Sequence, residues 1–302
     1  MKKAGSTIHS GNRIRRVTSF DYFNIVVLSV IALISIIPFY FVVIMSFADI
    51  GALGRAKVYL LPLSFDITPY RVLFLNNNVI NGIFVSIIRV IAGTVFCMLM
   101  TTTAAYSLSK KTLPFRGAIL NAIILTMFFG GGLIPYYLTV KNLGLVDRFL
   151  VLIIPSGIDT FFLIIIKNYF QTIPESLEES AKIDGATDIH IFLKIILPIA
   201  MPFMATFILF YAVGHWNDWW TAMLFISDVH LRPLQNVLRD ALSNLNNIIN
   251  DTARINAMQG KMANTQSARM ALVVITTIPI LAVYPFIQKY FVKGILIGSM
   301  KG

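Results

Sequence analysis

The segment Glu175-Ser176-Leu177-Glu178-Glu179-Ser180-Ala181-Lys182-Ile183-Asp184-Gly185-Ala186-Thr187-Asp188 holds five of the chain's fourteen acidic residues in fourteen positions. Long apolar runs flank it, over 149–167 before and 199–225 after. Acids concentrated in one short loop between apolar runs mark a loop that leaves the membrane and meets a partner in water. After nine intervening residues from Gly185, Ile195-Ile196-Leu197-Pro198 closes the segment.

Composition agrees with a membrane setting. Of 302 residues, 57% are hydrophobic and only 13% charged, against about 25% charged in soluble domains. Six runs approach or exceed the ~20 residues that cross a ~30 Å hydrocarbon layer. They are 22–47, 81–108, 119–140, 149–167, 199–225 and 268–291. Backbone polar groups cannot face lipid unpaired, so these runs are read as helices. The expected fold is all-α, a polytopic membrane protein with six transmembrane helices. A tail, 1–20, precedes one transmembrane domain, 21–302, with no repeat and no separate soluble unit. The first run is too long for a cleaved signal peptide and lacks a small-residue exit, so it reads as a retained anchor.

The net charge of +11 would point to nucleic acid in a soluble protein. Here it fits loop charge at the cytoplasmic face, and no basic–aromatic patch speaks for nucleic-acid binding. Lys2, Lys3, Arg13, Arg15 and Arg16 precede the first run. Lys110, Lys111 and Arg116 follow the second, Lys167, Lys182 and Lys194 flank the acidic loop, and Lys289, Lys293 and Lys301 lie near the end. These fourteen share one side when six runs are counted, against ten on the other. Both termini and the acidic loop are therefore assigned to the cytoplasm, the loops near 48–80, 141–148 and 226–267 to the outside.

The acidic loop, 168–198, has local rules of its own. Thr172-Ile173-Pro174-Glu175 has the spacing of a capping box, with proline where a missing N–H costs little. Gly185 stands where a helix stop needs the left-handed conformation. Thr187 then caps a second helix with Asp188 in its first turn. Ile189, Phe192, Leu193, Ile195 and Ile196 form an apolar side, and Pro198 marks the junction with the fifth span. Two short helices at an angle are expected. Such a helix-turn-helix fits either an ordinary interfacial turn or a knob for a partner's groove.

The spacing from Glu179 through Ala181 and Gly185 to Ile195-x-Leu197-Pro198 resembles the EAA motif of ATP-binding-cassette (ABC) importer permeases, with Ser180 at a position usually alanine. The resemblance extends over about 20–302. Ala104-Ala105-Tyr106-Ser107-Leu108-Ser109-Lys110 is similar to the cytoplasmic exit of the second span in carbohydrate-type permeases. Pro285-Phe286-Ile287-Gln288-Lys289-Tyr290-Phe291-Val292-Lys293-Gly294 and Met300-Lys301-Gly302 resemble the end of the smaller maltose-importer permease. Gly131-Gly132-Leu133-Ile134-Pro135 and Lys141-Asn142-Leu143-Gly144-Leu145 are similar to the subgroup handling complex oligosaccharides and polysaccharide fragments.

The resemblance implies a permease subunit of an ATP-driven carbohydrate importer in a bacterial cell membrane. Its implied partners are a second homologous permease, two ATP-binding-cassette ATPase subunits and an external solute-binding protein. Glu178, Glu179, Ala181, Asp184 and Gly185 are the implied ATPase-docking residues. The outer loop around 243–264 is expected to reach the binding protein, as the corresponding region does in maltose-type permeases.

Pathway candidates follow from helix breakers and polar groups. Gly130-Gly131-Gly132 with Pro135 weakens a helix by about 1 kcal/mol per glycine and ~3 kcal/mol for the proline. Gly131 and Gly132 either line a cavity or admit a close neighbour. Trp216, Asn217 and Asp218 either anchor a span end or line the pathway. Arg89, inside the second span, reads as paired or snorkelling rather than substrate-binding.

No phosphate loop is present, so the chain is not read as an ATPase or any other enzyme. His9, His190, His215 and His230 lack ligand spacing, and Cys97 stands in an apolar run, so no metal or cofactor is expected. The remaining alternatives are an ABC importer of a non-sugar solute and an ion-coupled secondary transporter. The second would want carboxylates inside several spans, and the six runs hold two, Asp159 and Asp218.

Overall fold

A computed structural model describes residues 19–48, 65–243 and 265–299, and every regular element among them is helical. In chain order these are α1 (Ser19–Ser46), α2 (Thr68–Leu75), α3 (Asn77–Ser109), α4 (Arg116–Phe128) and α5 (Leu133–Asn142). Short 3-10 turns at Phe149–Leu152 and Ile154–Ser156 precede α6 (Thr160–Phe170) and α7 (Glu175–Ile183). Then follow α8 (Asp188–Asn217), α9 (Trp220–Phe225), α10 (Leu234–Ser243) and α11 (Thr265–Ser299).

Among the described residues, four helices are long and apolar enough to cross a membrane: α1, α3, α8 and the Gln266–Val283 part of α11. Two bent pairs also pass: α4 with α5 at 120°, and Phe149–Ser156 with α6 at 51°. Counting each bent pair as one crossing gives the six expected. The expectation of continuous helices over 119–140 and 149–167 is corrected. The first breaks where Gly132 takes φ +84°, a conformation open to glycine. The second breaks near Pro155 and Gly157, ahead of Asp159, whose carboxylate accepts from the Phe162 N–H at 2.9 Å and starts α6.

α3 sits at the centre, against α8, α6, α10 and α2. Its composition explains why. The buried stripe runs through Gly82, Ser86, Arg89, Gly93, Cys97, Thr101 and Ala105, at the three-and-four spacing of one helix face. The outward face carries Phe84, Ile87, Ile88, Ile91, Val95 and Leu99. Small and polar inside with branched and aromatic outside reverses the soluble pattern and suits lipid. The small residues set the distances. A Cβ on Gly93 would lie 2.6 Å from His215 Nε2, and one on Gly82 3.2 Å from Leu234 Cα.

Among the described residues, three buried clusters hold the bundle. At one end Tyr106, Phe170, Ile191, Phe192, Ile196 and Met204 join α3, α6 and α8. In the second, Val79, Trp216, Leu234 and Leu272 tie α3, α8, α10 and α11. The third joins α3 and α9 to the 3-10 turns through Val85, Leu152 and Phe225. Apart from its last residues, α1 is exposed along its length and packs on α11.

Candidate functional site

α7 stands out because its apolar residues are exposed although its composition is polar. Leu177 and Ile183 are 41% and 87% exposed, and Ile189 just beyond is 72% exposed. The helix begins after Pro174, without a side-chain cap. The expected capping box is corrected: the Thr172 hydroxyl donates backward to the Tyr169 carbonyl at 2.8 Å, closing the end of α6 instead.

The other end of α7 follows expectation. Gly185 takes φ +81°. Its N–H donates to Lys182 O at 3.0 Å, and the Ala186 N–H to Ala181 O at 2.9 Å. These paired bonds satisfy the last carbonyls of the helix and end it in a left-handed stop. The Thr187 hydroxyl accepts from the His190 N–H at 3.3 Å and opens the next helix.

That next helix differs from the expectation of a second short element. It runs without interruption from Asp188 into the fifth span, ending at Asn217. A wide π turn over Phe192–Ile196 comes just before Pro198. The ring of a helical proline collides with the carbonyl four residues back, here Lys194, and the widened turn accommodates it. Pro198 therefore lies inside the helix rather than at a junction. Ile191, Phe192 and Ile196 face the core, while Ile189 and Leu193 remain exposed.

The five acidic-loop candidates separate by environment. Glu179, Asp184 and Gly185 are exposed, Ala181 is half-buried against the core cluster, and Glu178 is half-buried. Glu178 forms an ion pair with Lys110 at the end of α3. Lys111 bonds Glu175 at 2.8 Å, and Lys182 bonds Asp188 at 3.0 Å across the Gly185 turn. The Lys111 bond holds the Glu175 carboxyl below its ordinary value of 4.5. The Asp188 bond raises the Lys182 ammonium above 10.5.

Arg89 is 1% exposed and makes the central polar contact of the bundle. Its guanidinium donates to the Leu152 carbonyl at 3.2 Å and pairs with the Asp218 carboxylate. Asp218 lies where α8 ends, and its other oxygen accepts from the Thr221 N–H at 3.1 Å, opening α9. One cation thus ties α3 to the break in the fifth span and to the turn before α6.

The pathway candidates do not gather at one place. Trp216 is buried and donates from its indole to the Thr276 carbonyl at 3.1 Å, which makes it a packing residue between α8 and α11. Asn217 is exposed beside it. Gly131 and Gly132 sit at the bend between α4 and α5, with open space around Gly132.

The Lys110 and Lys111 pairings were not anticipated. Their signal was legible as opposite charges placed on one side by the span count. The Arg89–Leu152 contact had no sequence signal, because its acceptor is backbone.

The family described as the binding-protein-dependent transport system inner membrane component matches residues 17–297. The chain is 44% identical over 297 residues to Protein LplC of Bacillus subtilis, covering 98% of this chain and 99% of that one. It is 42% identical over 283 residues to the polygalacturonan/rhamnogalacturonan transport system permease protein YtcP of Bacillus subtilis, covering 94% and 98%. Among solved structures it resembles a chain of a bacterial ABC transporter involved in the import of the acidic polysaccharide alginate. That match has a TM-score of 0.84 and 30% identity, and covers 90% of this chain and 96% of that one. The chain belongs to the family of binding-protein-dependent transport system inner membrane components.

Proposed function

We propose that this chain is the membrane-spanning permease subunit of an ATP-driven ABC importer for carbohydrates, with oligosaccharides as substrates. The observation that carries the reading is α7 and its Gly185 stop. This short polar helix at the end of the bundle presents Leu177 and Ile183 to water beside Glu179 and Asp184, and Ile189 adds to the patch from the start of α8. Exposed large apolar residues on a polar helix mark an interaction surface. The relatives' names support the substrate class, since YtcP is named for galacturonan transport and the solved neighbour for alginate import.

The proposed complex holds a second homologous permease, two ATPase subunits and an external binding protein, in the cytoplasmic membrane of a bacterium. α7 faces the cytoplasm and seats in an ATPase groove, with Glu179 and Asp184 at its charged rim and Ala181 on the inner side. ATPase closure drives α7 and turns the pathway outward. The Gly131–Gly132 bend and Asn217 line that pathway; Trp216 supports it from the core. This chain moves substrate and performs no hydrolysis itself.

Glu179→Lys places a cation against the groove, and Gly185→Asp puts a side chain on a left-handed residue. Each is expected to reduce uptake of labelled oligogalacturonides or maltooligosaccharides by at least ~10-fold with normal membrane insertion, a loss of the size set by a charge reversal at an interface. Normal uptake with normal ATPase recovery in both variants excludes the docking role.

A further inference from the structure

The end of the second span carries contacts that docking does not use. Lys110 terminates α3, and its ammonium pairs with Glu178 on α7. The same ammonium stands 4.2 Å from the centroid of the Tyr106 ring. That ring packs 4.8 Å from Phe192 and 6.1 Å from Phe170. The ion pair therefore rests on the aromatic core shared by α3, α6 and α8. Beside it, the Gln171 amide donates to the Ser109 carbonyl at 3.3 Å. The Lys110 and Glu178 side chains are 26% and 19% exposed, against 77% and 71% for Lys111 and Glu175. Water and salt screen the first pair far less than the second.

α7 is joined by short chain segments to α6 before it and α8 after it. To α3 it is joined by these side chains. About six turns, or ~31 Å, back along the same helix, Arg89 holds Asp218 and the Leu152 carbonyl. α3 thus carries two ionic grips: one at its C-terminal end on α7, one near its middle on the break in the fifth span.

We infer that Glu178 is a positioning residue which, through Lys110, makes the second span a rod carrying displacement of α7 to the Arg89–Asp218 junction. The inference rests on the importer reading above, and it assigns Glu178 to this chain's own span rather than to the ATPase groove.

The test uses the complete importer in nanodiscs, with Cys97→Ser and a bimane fluorophore on Asn78→Cys, an exposed residue at the far end of α3. ATP with orthovanadate is the probe, and both ATPase retention and the bimane response are measured. Glu178→Lys and Lys110→Glu are each expected to retain the ATPases and lose at least about fivefold of the response. The reversed pair carrying both changes recovers it to within about twofold, as a coupled pair requires. Glu178→Gln, which removes charge without repulsion, lowers the response with assembly intact.

A normal response in Glu178→Lys or Glu178→Gln overturns the inference. So does a Glu178→Lys variant that releases the ATPases and is not rescued by Lys110→Glu, which places Glu178 in the groove. A wild-type complex without any response counts against the ATP-driven reading itself. A responding wild type with an unrescued swap counts against this pair alone.

Discussion

Arg89 and Asp218 show how much one buried pair organises. The cation is 1% exposed and the carboxylate 30%. Desolvating both is costly, so the pair adds little net stability over an apolar substitute of the same shape. Removing one partner is different, because the other stays buried and uncompensated. Arg89→Met is expected to cost about 3 kcal/mol, the lower end of the range for broken buried pairs, because Asp218 keeps some access to water. Arg89→Met with Asp218→Asn together is expected to cost less than Arg89→Met alone. Thermal unfolding of the detergent-purified variants measures both. With Asp218→Asn measured alone as well, a double-variant loss equal to the sum of the two single losses shows that the two side chains are not coupled. The sequence marked Arg89 as a charge that pairs or snorkels and Asp218 as a residue that anchors a span end or lines the pathway. That they are each other's partner, 129 positions apart, is a consequence of packing α3 against α8.

At the scale of elements, α7 is held by short-range chemistry that responds to pH at two limits. Glu175 is pulled below 4.5 by Lys111, so its contribution is present above 4.5 and is lost as pH falls through the lowered value. Lys182 is raised above 10.5 by Asp188, so its contribution is complete below 10.5 and is lost as pH rises through the raised value. Amide-exchange protection factors over 177–183 are expected to be flat between about pH 5 and about pH 10 and to fall outside both limits. Glu175→Gln removes the acid limb. A variant that retains that limb shows that another group is responsible.

The stop at Gly185 and the cap at Thr187 were legible because both are local: a glycine for positive φ, a hydroxyl one residue before a helix. The start at Thr172 was misread because two carbonyl and N–H partners compete for one hydroxyl, and the end of α6 takes it. The uninterrupted run through Pro198 was hidden for a similar reason. A proline reads as a boundary until the π turn before it is seen.

For the whole molecule, counting each bent pair as one crossing puts α7 on the opposite side from the segment after α5. With Cys97 replaced, a cysteine at Ile189 is expected to label only from the cytoplasm, and one at Leu143 only from outside. Both positions are exposed, at 72% and 66%. Labelling of both from one side means that a bent pair re-enters without crossing. The expected binding-protein contact at 243–264 concerns positions that, beyond Ser243, lie outside the described residues.

The apolar runs, the helical class and the acidic turn follow from composition and short-range pattern. The bilayer imposes a length on each apolar run, and backbone hydrogen bonding in lipid leaves the helix as its form. Those constraints act within a few residues, so they can be read along the chain. The partner of Arg89, the seat of Glu178 on Lys110 and the burial of Trp216 against α11 depend on which faces of distant helices meet. Gly82 and Gly93 allow that approach, but periodicity alone does not say which helix arrives there. The three-dimensional packing decides it, bringing Leu234 and His215 against those two glycines.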